Sequence, residues 1–174
     1  AAATSDARAL ADGVTDAAFA RPPGEERWSA AECVEHLTLT TEDYLPRLRA
    51  GLARARTMPP ERGRHRSGLV GWLLAWSLEP ARRYKSKTTP RFVPRDVGTK
   101  ARVMERFVRS QEALAAVVRD GDGLALSRVM LQSPFNARLS YNVYAAFRIL
   151  AAHQRRHLAQ AREALARDSA AASP

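Results

Sequence analysis

Ala152-His153-Gln154-Arg155-Arg156-His157-Leu158-Ala159-Gln160 is the stretch whose reading decides the fold. On a helix, four residues turn through about 400°, so His153 and His157 stand on one face, one turn apart. Tyr144, Phe147, Leu150, Leu158, Ala161 and Leu165 extend that side at three- and four-residue spacings, while Arg155 and Arg156 fall opposite. Two histidines within an apolar stripe point into a core or a crevice. They can share one metal ion, or they can be core histidines satisfied by neighbours. Two ligands do not make a site, because an open catalytic centre usually takes three.

Outward from this stretch, Ser140 reads as the N-cap of a last helix of about 28 residues, near 140–167, with a frayed tail from Ser169. The search for a third ligand leads to Trp28-Ser29-Ala30-Ala31-Glu32-Cys33-Val34-Glu35-His36-Leu37. Ser29 and Glu32 have the spacing of a capping box, with Trp28 placed to staple onto Cys33. This fixes a helix start near 29 and the facing of His36, which lies with Cys33, Leu37, Thr40, Tyr44 and Leu48. Taken alone, His36 reads as a core histidine with one partner. The helix runs to about Arg56, with a kink expected at Pro46.

Between these ends, residues 5–20 read as a first helix, weakened at Gly13 and stopped by Arg21-Pro22-Pro23-Gly24. Residues 57–68 form a basic loop, in which His65 between Arg64 and Arg66 reads as a solvated residue. Leu69 to Leu78 is the longest apolar run, expected within a shorter accessory helix over 69–84, with Trp72 and Trp76 stacked and buried as core or cover. Lys85 to Pro94 reads as an extended connector. A helix over 100–120 follows, with Thr99 as its cap, and a second connector runs from Leu124 to Arg138, broken by Pro134.

Composition agrees with a helical fold. Ala, Leu, Arg and Glu outweigh β-branched residues, and there are only 9 glycines in 174 residues. That length sets a default of one domain, 1–174. A lone cysteine rules out an intrachain disulfide and a cysteine-based metal cluster, and fits a cytoplasmic setting. The chain starts at Ala1 without methionine, which leaves open a removed N-terminal segment. The abundance of Ala and Arg points to a high-GC bacterial source. The apolar run is too short to span a bilayer, and an interfacial helix is set aside because no long amphipathic pattern follows. Net charge is +10, and residues 47–100 hold 14 Lys+Arg against 3 acids.

Three histidines on apolar faces of two well-marked helices carry more than any one of them. Facing helices of a bundle bring such side chains together. Three imidazoles with an open side suit Zn²⁺, Ni²⁺ or Fe²⁺ better than Mg²⁺ or Ca²⁺.

The pairing of W-S-x-x-E-x-x-x-H-L at Trp28–Leu37 with H-x-x-R-H-x-x-Q at His153–Gln160 resembles the DinB-like (YfiT-like) metal-dependent proteins, with a weaker match at Thr89-Pro90-Arg91-Phe92-Val93-Pro94. The resemblance covers about residues 20–165. It implies an all-α four-helix bundle with a divalent metal held by His36, His153 and His157. It also implies the chemistry of relatives that include thiol S-transferases using low-molecular-weight thiols such as bacillithiol or mycothiol, and a mycothiol-dependent isomerase.

The leading expectation is a metal-dependent thiol S-transferase or hydrolase acting on a small electrophilic molecule. Gln160, one turn past His157, is a candidate to orient a ligand or substrate from outside the metal shell. No general base stands out: Glu35 should point away from His36, and Glu32 is occupied by the capping box. Basic residues of 82–100 either bind carboxylates of an acidic thiol or form a solvated surface. A polyanion binder is an alternative raised by the basic middle section, opposed by the lack of a recognition motif and by a tryptophan pair read as buried. A non-catalytic metal-binding bundle is another. No nucleic-acid or membrane partner is expected, and a homodimer is allowed.

Overall fold

The structure is a computed structural model that describes residues 2–82 and 88–171, with side chains described as far as Arg167. Its four long helices are α1 (Ala2–Asp12), α3 (Ala30–Arg56), α5 (Lys100–Asp120) and α6 (Val143–Ala171). Helix α3 packs on both α5 and α6, and α1 closes the bundle against the same two helices. Two short helices, α2 (Asp16–Ala20) and α4 (Gly68–Ser77), lie outside this frame. Strands β1 (Met130–Gln132) and β2 (Ser140–Asn142) pair antiparallel, Leu131 opposite Tyr141, in an otherwise helical fold.

Capping chemistry sets most boundaries. Ser29 Oγ accepts from the Glu32 amide at 3.1 Å, and the Glu32 carboxylate accepts from the Ser29 amide at 2.7 Å, so the capping box forms as read. Thr99 caps α5 by accepting from the Arg102 amide. Pro46 lies inside the continuous span of α3.

Other boundaries differ from expectation, each for a local reason. The helix expected over 5–20 breaks in two, because Thr15 takes extended backbone and its hydroxyl accepts from the Ala18 amide, starting α2 afresh. Helix α4 stops at Ser77, with Pro80 just beyond; the expected end at 84 lies outside the described residues. The connector to Pro94 is not wholly extended. Pro90–Phe92 forms one 3₁₀ turn with proline at its first position, where no amide is needed, and residues 85–87 lie outside the description. Residues 130–132 and 140–142 are strands, too short to show a period in sequence. Ser140 is therefore not the cap of α6. Asn142 is, its side-chain oxygen accepting from the Ala145 amide at 2.8 Å while its amide group donates to the carbonyls of Arg66 and Ser127. The backbone of α6 stays helical to Ala171, past the frayed tail expected from Ser169; residues 172–174 lie outside the description.

Two apolar clusters fill the bundle. One gathers Leu48, Leu52, Val117, Leu131, Val143 and Ile149. The other gathers Leu10, Phe19, Val34, Leu37, Phe107 and Leu158. On α3 and α6, the sequence between them carries buried polar residues: Thr40 and Thr41 on one helix, His153, Gln154 and His157 on the other. Helix α5 adds Gln111, whose Oε1 accepts from Gln154 Nε2 at 2.7 Å. This layer across the bundle positions the candidate site.

Candidate metal centre

His36 faces inward from α3, and His153 and His157 face it from α6, so the structure brings together the three histidines singled out in the sequence. One ligand atom from each ring lies within 4.8 Å of the others. The rings are 1, 6 and 8% exposed, respectively, so they share a site closed to bulk water on most sides.

Each ring is held differently. His36 Nδ1 lies 2.7 Å from the Phe92 carbonyl, which can only accept, so Nδ1 carries the hydrogen and Nε2 of the neutral ring keeps its lone pair. That Nε2 lies 3.2 Å from Nε2 of His153. Two nitrogens at about 2.0–2.1 Å from one tetrahedral ion would be about 3.3 Å apart. Gln160 interacts with His157 and favours its charged form. His157 Nδ1 is nevertheless a buried nitrogen without a hydrogen-bond partner. A buried polar atom left unpaired costs about 1–3 kcal/mol, and a cation would remove that cost.

The electrostatics agree with a cation site. Burial lowers the pKa of His36 to about 4, against a smaller opposite pull from the Phe92 carbonyl. Burial, then the neighbouring His36 and Arg156, lower His153 to about 3. His157 is held well below its ordinary value by burial, by the other two rings and by Arg156. All three are neutral at pH 7 and can offer lone pairs, the donor set that suits Zn²⁺, Ni²⁺ or Fe²⁺. No carboxylate joins them among the described residues. Glu35 instead pairs with Arg106 on α5, which also holds Glu42 at 3.0 Å. Cys33 is buried nearby in sequence, and burial followed by the Glu32 charge pushes its thiol up to about 12, so it stays protonated.

Three contributors were not legible in the sequence. The Phe92 carbonyl acts through backbone, which no side-chain pattern reports. Phe135, in the connector broken by Pro134, stands 5.8 Å from the His153 ring and 4.7 Å from Phe92, centroid to centroid. Trp28 joins the apolar cluster that includes Cys33, as a staple would, and its ring also lies 4.8 Å from His36 and 5.9 Å from His157. Trp28 thus packs on His36 and His157, and Phe135 on His153.

Two expectations are corrected. His65 is not a loose solvated residue: its Nδ1 lies 2.9 Å from Glu61 Oε2 and its ring packs on Tyr144. It remains apart from the triad. Trp72 and Trp76 do stack, but they are 47 and 44% exposed, since the small residues Gly71 and Ala75 form the buried side of α4. Their burial can no longer be counted against polyanion binding; the missing recognition motif still can. Several cations expected on an open basic surface are engaged: Arg91 with Asp43, and Lys100 with the carbonyls of Ala11 and Val14.

No helix among the described residues is long and apolar enough to cross a membrane. No curated protein and no solved structure matches the chain. The sequence profile of the DinB superfamily matches residues 1–161. With a helical bundle and a buried three-histidine cluster beneath that match, the chain belongs to the DinB superfamily.

Proposed function

We propose that His36, His153 and His157 hold one divalent metal ion, and that the protein is a metal-dependent S-transferase joining a low-molecular-weight thiol to a small electrophile. The observation that carries this reading is the partnerless Nδ1 of His157 in a cluster of three neutral imidazoles. When bound, such an ion supplies a Lewis acid that lowers the pKa of a thiol or of water. Hydrolysis of an electrophile is the same chemistry with water in place of the thiol.

The chain's own residues have definable parts in this. The Phe92 carbonyl fixes the His36 tautomer so that Nε2 faces the cluster. Glu35 is turned to Arg106, and among the described residues no carboxylate joins the three rings to offset the positive charge of the centre. Trp28 and Phe135 keep bulk water from the rings, which strengthens electrostatic interactions there. Gln160, which interacts with His157, would orient a ligand there.

The near-complete burial of the three rings favours one other reading, a metal-binding bundle without catalysis. Metal per chain in protein purified without a histidine tag tests the centre, and thiol-dependent consumption of an aryl halide tests the activity. Metal-free protein in excess Zn²⁺ and Ni²⁺ would overturn both readings. Bound metal without turnover across several thiols would favour the non-catalytic bundle.

A further inference from the structure

Helix α4 carries no charged residue, yet its outer face is open. Leu69 is 72% exposed, and Val70, Trp72, Leu73 and Trp76 lie between 43 and 47%. Of the eight large apolar side chains exposed among the described residues, five are on about two turns of this one helix, so the exposure is a patch and not scatter. The patch is rigidly mounted. Gly71 meets α6 so closely that a Cβ would fall 2.3 Å from that of Ala145. Trp72 and Trp76 stack with centroids 6.2 Å apart, and the Arg82 guanidinium covers Trp76 at 4.1 Å.

The edge of the patch is basic. Arg66 precedes α4 by two residues, Arg148 donates to Ser67 Oγ at 3.1 Å, and Arg82 flanks the other end. The acid at this edge, Glu79, is paired with Arg155. Trp72, Trp76, Arg148 and Arg155 line a groove of about 350 Å³ between α4 and α6.

Three occupants can be weighed against this chemistry. Single-stranded nucleic acid would use the tryptophans but gains nothing from Leu69, Val70 and Leu73. A second copy seated face to face would bring two sets of the same arginines together. An anionic bilayer surface meets both features, with leucine, valine and tryptophan entering the headgroup–acyl boundary and arginines meeting lipid phosphates. We propose that α4 is a peripheral docking face for anionic phospholipid membranes. The long amphipathic pattern missing from the sequence is not required, because the inward side of α4 is buried on α6 instead of being polar.

The test is co-sedimentation of the full chain with vesicles of equal parts phosphatidylglycerol and phosphatidylcholine, beside vesicles of phosphatidylcholine alone. Binding should be at least about tenfold stronger to the anionic vesicles and should weaken as salt is raised. Leu69→Glu with Leu73→Glu alters two exposed positions, so the helical circular dichroism signal should be kept while vesicle binding falls at least about tenfold. The proposal is overturned if the wild-type chain stays in the supernatant with anionic vesicles, or if the double variant binds them as wild type does. It is also overturned if light scattering finds a dimer that the double variant dissociates, since a second copy would then own the face.

Discussion

His36 Nδ1 donates to the carbonyl of Phe92 at 2.7 Å, joining residues 56 positions apart and setting which nitrogen His36 presents to its partners. The capping box fixes where α3 begins and so the facing of His36. The 3₁₀ turn at Pro90–Phe92 then fixes the tautomer.

Phe92→Ala should therefore have two separable effects. The buried ring is lost, at a cost of about 3–5 kcal/mol for a Phe→Ala change in a core. The turn that aims the carbonyl is also loosened, and metal affinity should drop roughly 10–100-fold, as for other groups that orient a ligand. Phe92→Leu should recover most of the stability. If Phe92→Leu and Phe92→Ala, both confirmed folded, bind Zn²⁺ as tightly as wild type, the carbonyl contact has no part in tuning the centre.

Replacing the histidines one at a time separates ligands from bystanders. His36→Ala, His153→Ala and His157→Ala should each strip metal on dialysis while the helical circular dichroism signal survives. His65→Ala should leave metal content unchanged. It should cost up to about 1 kcal/mol, because His65 contacts partly exposed Glu61 at the surface. Retention of a full equivalent of metal by the His36 variant would mean that the three rings are core residues.

The division between what sequence carried and what it did not follows the range of the interactions. The α3 and α5 starts rest on Ser29 and Thr99 bonding three residues ahead, so they were readable locally. The facing of His153 and His157 followed from a long periodic helix. Phe92 and Phe135 depend on contacts from distant segments or on backbone atoms, and no spacing announces them. Asn142 caps α6 by an equally local bond from the Ala145 amide, but Ser140 two residues earlier is as good a cap by type, so the sequence does not choose between them. The exposure of α4 was misread because hydrophobicity alone cannot say which side of an all-apolar helix is covered; Gly71 and Ala75 decide it through close approach to α6.

Exposed tryptophans on a basic chain invite a test against DNA. Two cations of this chain are committed to acids, Arg155 beside the tryptophans to Glu79 and Arg91 to Asp43. Neither duplex nor single-stranded DNA should bind with submicromolar affinity at physiological salt. A steep fall of log K with log salt in such an assay, from a tight starting value, would show a nucleic-acid-binding surface and reverse this ranking.

The buried histidines give metal-free protein a defined pH dependence. In the unfolded chain each imidazole titrates near about 6.5, whereas His36 is lowered to about 4, His153 to about 3, and His157 well below its ordinary value. Above about pH 6.5 neither state takes up these protons, so stability should be level with respect to them. Below it the unfolded chain gains protons that the folded chain refuses. Stability should therefore fall as pH drops toward 4, with a limit of about 1.4 kcal/mol per ring per pH unit. Protons and metal compete for the same lone pairs, so added Zn²⁺ should raise the melting temperature at pH 7.5 and progressively less toward pH 5. Chelator-stripped wild type and a His153→Gln variant should be melted side by side from pH 7.5 to 4.5. Wild type should lose stability more steeply than the variant, which has one fewer suppressed proton site. Parallel curves, or a wild-type melting temperature that stays level down to pH 4.5, would mean that the rings accept protons in place and are not held neutral by the fold.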